Sequence, residues 1–203
     1  MFTLDQYVEQ RILTQVQAAA LRAAVEGRDN ILIGGGTGSG KTTFANALLQ
    51  EITSTQDRLV IIEDTPELQC VAGAHRVDLL VHPPLYTWRH AVMDAMRLRP
   101  DRIIVGEERD GAALDLLKSM NTGHPGSLCT IHANSTAAML DRFAQLVDEV
   151  IPQYPRSVVA STVNVCVHIS RDRRHPAGRV VTGVDRVLGF DPQAGWRLEP
   201  LAR

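Results

Sequence analysis

Three features of the sequence predict an α/β architecture, in which a parallel sheet is covered by helices on both faces. Short Val, Ile and Leu runs such as "LVII" (59–62) and "RIIV" (102–105) recur without polar alternation, as strands buried on both faces require. Helical patterns of about ten residues or more stand between these runs, so successive strands are joined by crossovers and run parallel. A glycine-rich turn, "GGTGSGKT" from Gly35 to Thr42, joins the first run to the helix that follows it.

The elements can be justified in chain order. Thr3 with Gln6 and Thr14 with Gln17 have the spacing of capping boxes, so two helices open the chain, the second from about Gln15 to Glu26 and stopped at Gly27. Ile31 to Ile33 is a buried strand, and "KTTFANALLQEI" places Phe44, Leu48, Leu49 and Ile52 at helical spacing. "RLVIIED", "DRIIVGEE" and "SLCTIH" read as strands, alternating with the helices "TWRHAVMDAMRLR", "DGAALDLLKSM" and "STAAMLDRFAQLVDEV". Asp110 stands at the expected cap of the second of these helices and Ser135 at that of the third. After Pro152 and Pro155 the pattern changes: "VNVCVHIS", "RVVTGVDRVLGF" and "WRLEPL" predict an antiparallel meander with turns near 176–178 and 192–195. The expected organisation is one domain over 1–203, with a helical preamble (1–30), a core (31–150) and a C-terminal helix and β meander (151–203).

Composition excludes several classes. A net charge of −2 provides no electrostatic footprint for direct nucleic-acid binding. Cys70, Cys129 and Cys166 are far apart and form no C-x-x-C pair, which fits a reducing compartment and argues against a four-cysteine zinc site. No apolar run approaches the roughly 18–20 residues that span a bilayer. "MFTLDQYVEQ" has neither the basic nor the apolar region of a signal peptide. The expected location is cytoplasmic, or peripheral to a membrane.

The turn matches G-x-x-x-x-G-K-[ST] with a strand before it and a helix after it, the context that gives the motif its meaning. Gly35, Gly36, Thr37, Gly38, Ser39 and Gly40 let successive backbone N–H groups point into one concavity, at the positive end of a helix dipole. Lys41 is expected at the β- and γ-phosphates of a nucleoside triphosphate, Thr42 on Mg²⁺, and Thr43 beside them. This is a P-loop.

Ligands of a parallel sheet lie beyond the carboxyl ends of its strands. Two strands end there in acids: Glu63 and Asp64, then Glu107 and Glu108. Where hydrolytic P-loop enzymes commonly carry an Asp before the catalytic Glu, this chain has Gly106, so Glu63 or Asp64 is expected to serve the metal from outside. Glu107 is the expected base for the attacking water, with Glu63 the runner-up. Glu108 and Asp110 read as caps or solvated loop residues. His132, at the carboxyl end of its strand, faces the same crevice and is placed to sense a γ-phosphate. His124, at the other end, is expected to touch a neighbouring element or subunit.

"GGTGSGKTT", "VIIEDTPELQC", "LRPDRIIVGEERD" and "TGHPGSLCTIHANS", in this order, resemble the Walker A, Asp box, Walker B and His box of secretion traffic ATPases, above all the TrbB-like conjugal-transfer ATPases of type IV secretion. The resemblance covers nearly all of the chain. It implies a RecA-like P-loop NTPase that hydrolyses ATP with Mg²⁺ in a homo-oligomeric, hexameric ring. Its partners would be inner-membrane secretion components at the cytoplasmic face. Carried over, Gly35 to Thr42 bind the nucleotide, Glu63 and Asp64 assist at the metal, Glu107 is the Walker B acid, and His124 and His132 couple nucleotide state to conformation. Family members usually carry an N-terminal domain that closes over the nucleotide and supplies arginines, so this chain reads as a truncated form, a fragment, or a ring built without that domain. Arg76, Arg89, Arg97, Arg99 and Arg109 are candidates to act in trans, while Arg102 reads as structural. A pilus assembly or retraction ATPase, an ATP-binding regulatory module without turnover, and a P-loop kinase are the alternatives.

Overall fold

The computed structural model describes residues 2–70, 75–107, 112–121 and 123–201. Two helices come first, α1 (Leu4–Glu9) and α2 (Gln15–Glu26), and both begin in the expected capping boxes: Thr3 and Thr14 accept from the Gln6 and Gln17 amides, and each glutamine reaches back to its cap. There follow β1 (Ile31–Gly34), α3 (Lys41–Thr53), β2 (Leu59–Glu63), β3 (Arg76–Leu80), α4 (Trp88–Arg97), β4 (Arg102–Val105) and α5 (Ala113–Asn121). The chain ends in β5 (Leu128–Ile131), α6 (Thr136–Asp148), α7 (Arg156–Thr162), β6 (Val165–Arg171), β7 (Arg179–Asp191) and β8 (Gly195–Pro200). Ser135 caps α6 as expected, its hydroxyl accepting from the Ala138 amide. Glu108, Arg109 and Asp110 lie outside the described residues, and with them the expected cap of α5.

All the strands form one eight-stranded sheet in the order β3-β2-β4-β5-β1-β6-β7-β8. The strands from β3 to β6 in that order are parallel, and β7 and β8 are added antiparallel. The C-terminal strands are thus antiparallel as the sequence suggests, but β6 also pairs in parallel with β1, which makes the meander continuous with the core sheet. The strand β3 has no counterpart in the sequence reading. It is an edge strand, half exposed, and its charged residues Arg76 and Asp78 pair with each other at 3.2 Å on the solvent side, so it lacks the apolar run that marks the buried strands.

Alternate residues of each buried strand feed two separate cores. Ile31, Ile33, Ile61 and Ile104 pack under α1, α2 and α3, while Leu32, Ile62, Val105 and Cys129 pack under α4 to α7. This is the sandwich that a parallel sheet needs. The register then aligns the strand ends that matter. Ile62 stands beside Val105, so Glu63 and Gly106 each follow one residue later, and Ile131 stands beside Gly34, which brings His132 level with Gly35.

At the opposite, amino end of the sheet the chain is tied together by one buried cation. Arg102, 1% exposed, donates to Asp57 at 2.6 Å and to the Val25 carbonyl at the end of α2 at 2.9 Å. Its guanidinium also fills the space beside Gly126, whose φ of +82° and crowded Cα suit only glycine. His124 belongs to the same knot, since its Nδ1 donates to the Pro100 carbonyl at 3.1 Å. The structural reading of Arg102 therefore holds. Arg102→Ala should cost about 3–5 kcal/mol, because it strips the buried Asp57 carboxylate of its closest cation and leaves it to Arg28 and Thr55. Urea unfolding monitored by circular dichroism measures this, and a midpoint within error of wild type would contradict it.

Candidate active site

The glycine-rich loop leaves β1 and enters α3 with two residues in the left-handed region, Gly38 at φ +66° and Gly40 at φ +100°. A side chain at either would be strained, and the space is already taken. The guanidinium of Arg171 lies where a Cβ of Gly38 would stand, and that of Arg179 where a Cβ of Gly40 would stand. Gly36, Thr37 and Gly38 form the exposed tip, with Ser39 buried beneath it and Gly35 buried at its base. Lys41 is the first residue of α3 and is 6% exposed. Its ammonium folds back onto the loop, donating to the Gly35 carbonyl at 3.0 Å and the Gly36 carbonyl at 3.4 Å, and faces His132 Nδ1 at 3.2 Å.

That last contact settles the imidazole. An ammonium only donates, so Nδ1 of His132 accepts and the ring carries its proton on Nε2. Nε2 lies 3.0 Å from Glu107 Oε1 and donates to it. Lys41, His132 and Glu107, from three separate elements, therefore form one hydrogen-bonded chain beside the loop.

The two acids proposed as base are distinguished by their surroundings. Glu63 is 5% exposed, and its Oε1 accepts from the backbone amides of Glu67 at 3.0 Å and Leu68 at 2.9 Å. Burial pushes its carboxyl above the usual range, and the two amides pull it back. This carboxylate shapes the loop after β2. It also explains Gly106: a Cβ there would stand 3.0 Å from Glu63 Cγ and 3.3 Å from its Oε1. A side chain at Gly106 would press on buried Glu63, which would have to give by a few tenths of an ångström. The Glu107 side chain is 20% exposed and turns towards His132 and the loop.

Thr42, Glu63, Asp64 and Glu107 line one cavity of about 190 Å³. Its donors are all hard oxygens, which fits Mg²⁺. Among the described residues there is no cluster of three or more acidic, His or Cys side chains able to hold an ion by themselves. Thr42 and Asp64 are the residues there that could hold such an ion together with phosphate oxygens.

Of the arginines singled out by sequence, Arg76 pairs with Asp78, Arg89 with Asp115 at 3.3 Å and Arg97 with Asp94 at 3.6 Å, while Arg99 is exposed at φ +52°. Arg109 lies outside the described residues. Among the described residues, two arginines that sequence reasoning missed reach the loop. Arg171 ends β6 and donates from Nε to the Gly38 carbonyl at 2.9 Å, and Arg179 begins β7. Only the parallel pairing of β6 with β1 brings them there. His168 is a third omission. It stands beside Gly34, and one ring nitrogen lies 3.3 Å from the Ala133 carbonyl, just past His132. Burial pushes its pKa down, and the hydrogen bond to the Ala133 carbonyl opposes the shift.

The model of the family described as "Type II/IV secretion system protein" matches residues 3–177. The chain is 47% identical over 192 residues to the conjugal transfer protein TrbB of Rhizobium radiobacter, covering 94% of this chain and 58% of that protein. It is 40% identical over 139 residues to the type IV secretion system protein VirB11 of Bartonella henselae, covering 64% of this chain and 37% of that one. Among solved structures, the VirB11 ATPase of the Brucella suis type IV secretion system, in complex with sulphate, superposes with a TM-score of 0.73 at 30% identity, over 91% of this chain and 62% of that one. The chain thus spans less than two thirds of the length of the relatives it matches.

If Glu63 builds the loop after β2, its removal should loosen that loop first. Glu63→Ala should speed hydrogen exchange at the Glu67 and Leu68 amides by roughly tenfold or more, the value of a bond to a charged acceptor. Exchange at wild-type rates would assign those amides to some other restraint.

Proposed function

The chain belongs to the type II/IV secretion system protein family, and from that premise we propose that it is the ATP-hydrolysing domain of a conjugative, type IV secretion motor. The observation that carries this reading is the chain Lys41–His132–Glu107 at the mouth of the phosphate loop. The cation that would hold the terminal phosphates and the carboxylate that would activate water are joined by one imidazole.

In this reading, backbone amides of the loop and the Lys41 ammonium bind the β- and γ-phosphates. Mg²⁺, when bound with the nucleotide at Thr42 and Asp64, offsets phosphate charge. Glu107 accepts the proton of a water that attacks the γ-phosphorus, and ADP departs with the electrons of the broken P–O bond. Lys41 leaves the Gly35 and Gly36 carbonyls for phosphate oxygens, so its contact with His132 changes with the nucleotide. His132 is thereby placed to report γ-phosphate to Glu107 on one side and to the segment after β5 on the other. His124, tied to Pro100 at the far end of the same strand, extends that coupling towards the α4–β4 connection.

The motor is proposed to act as a homo-oligomeric ring, hexameric in the family it resembles, against inner-membrane secretion components at the cytoplasmic face. Among the described residues no helix is long and apolar enough to cross a membrane.

Lys41→Ala should abolish ATP binding, and Glu107→Gln should bind ATP while hydrolysing it about 10²- to 10⁴-fold more slowly. Calorimetry and phosphate release measure the two. Normal turnover by Lys41→Ala would refute the P-loop assignment, and normal turnover by Glu107→Gln would move the base to Glu63. Turnover per chain should also rise with protein concentration if sites complete each other across subunits. Tight binding with negligible turnover at every concentration would instead favour a binding module.

A further inference from the structure

His132 joins Lys41 to Glu107, yet its side chain is 47% exposed, so packing does not fix where it stands. The next peptide does have a fixed partner. The Ala133 carbonyl lies 3.3 Å from Nε2 of His168, and that residue is 8% exposed on β6. A carbonyl only accepts, so His168 carries its proton on Nε2 and donates it there. Nδ1 is then left to accept from the Thr182 hydroxyl. The backbone explains why Thr182 is in place. His168 pairs with Gly183 and Ile169 with Val181, so Thr182 is the extra residue of a β-bulge, a device that re-aims a side chain.

The connection from β5 to α6 is tied to this hairpin a second time, by the Thr136 hydroxyl donating to the Asp185 carboxylate. Between the two ties Asn134 and Ser135 border, with Ser170 and Gly183, a polar cavity of about 490 Å³. On that side the connection faces a cavity and not packed side chains, so hydrogen bonds must hold it. The same strand β6 supplies Arg171, whose Nε donates to the Gly38 carbonyl at 2.9 Å. One strand thus steadies both the phosphate loop before Lys41 and the strand end that carries His132.

We propose that His168 is a positioning residue for hydrolysis: its Nε2–H holds the Ala133 carbonyl, and that peptide sets His132 between the Lys41 ammonium and Glu107. This assignment rests on the hydrolytic reading of those three residues. His168 acts through His132 and not on the nucleotide. If the carbonyl is released, the end of β5 can turn into the cavity, and His132 loses the angle at which Nδ1 meets Lys41 and Nε2 meets Glu107. The loop keeps its own amides and ammonium for phosphate, so binding and turnover should separate.

The test compares His168→Asn, His168→Gln and wild type as full chains. A glutamine amide reaches as far as Nε2 and can still donate to Ala133. An asparagine amide stands at the level of Nδ1, keeps Thr182 and falls short of the carbonyl. His168→Asn should lower kcat for Mg-ATP about tenfold, the upper end of what one neutral hydrogen bond contributes, with Kd unchanged, and His168→Gln should recover most of it. Imidazole NMR spectra of the isotopically labelled free chain give a second reading. His132 should be the single Nε2–H tautomer in wild type and His168→Gln, and a mixture of both tautomers in His168→Asn. Circular dichroism melts establish folding. If His168→Asn does not fold, the wild-type spectra decide: a proton on Nε2 of His168 supports the proposal, and one on Nδ1 alone overturns it. A folded His168→Asn with wild-type kcat, with an unchanged His132, or with ATP affinity lost in step with kcat also overturns it. So does a His168→Gln no better than His168→Asn. A wild-type chain without ATP turnover overturns the hydrolytic reading and this assignment together. Normal wild-type turnover with any of the other adverse results overturns the assignment alone.

Discussion

Everything at the site depends on where the Lys41 ammonium is held. A buried cation at the start of a helix is unfavourable unless it is met by acceptors. Here the acceptors are two carbonyls of its own loop and one ring nitrogen of a distant strand. The carbonyls keep the loop concave, and the ring nitrogen fixes a tautomer that hands the remaining N–H to Glu107. One charge thereby orders a loop, an imidazole and a carboxylate that come from three elements. In the proposed function the same charge is the group an incoming phosphate would claim, which would couple ligand binding to rearrangement of this chain.

The fold makes this possible by dividing its labour between the two ends of the sheet. At the amino end, Arg102, Asp57, Asn30 and the turn around His124 knit strand starts and helix ends into a buried polar network. The network fixes register there, and parallel pairing carries the alignment through four or five residues to the carboxyl end. Glu63, Gly106, His132 and Gly35 then emerge at matching heights. Arg102, Asp57 and Asn30 at the anchored end are held by fixed partners, whereas Lys41 at the other end shares acceptors that a phosphate could replace. That difference separates a structural knot from a working one.

The C-terminal hairpin adds a second constraint to the loop. Arg171 and Arg179 occupy the space that the two left-handed glycines leave open, so the glycines serve the backbone conformation and the approach of these side chains together. Gly106, which stands where the more usual acid would be, likewise has a side chain close beside it, that of buried Glu63. In both places a glycine marks where a neighbouring side chain has moved in.

Sequence alone determined the phosphate loop, the capped helices, the buried parallel strands, the acid and histidine at their carboxyl ends, and the family. The motifs and elements are local patterns read directly from residue spacing, and the family follows from the order of four such motifs along nearly the whole chain. Only the tertiary structure decided which side chains face the loop. Arg171 and Arg179 reach it because β6 lies beside β1, a pairing between residues more than a hundred positions apart. The proposed preference for Glu107 over Glu63, already made from the sequence, gains support from two backbone amides that claim the first and a histidine that turns the second towards the loop. The edge strand β3 escaped notice because its charges are tolerated only where one side of a strand meets water. Strand neighbours are set by packing two helical layers on one sheet, and no local pattern in the chain encodes that order.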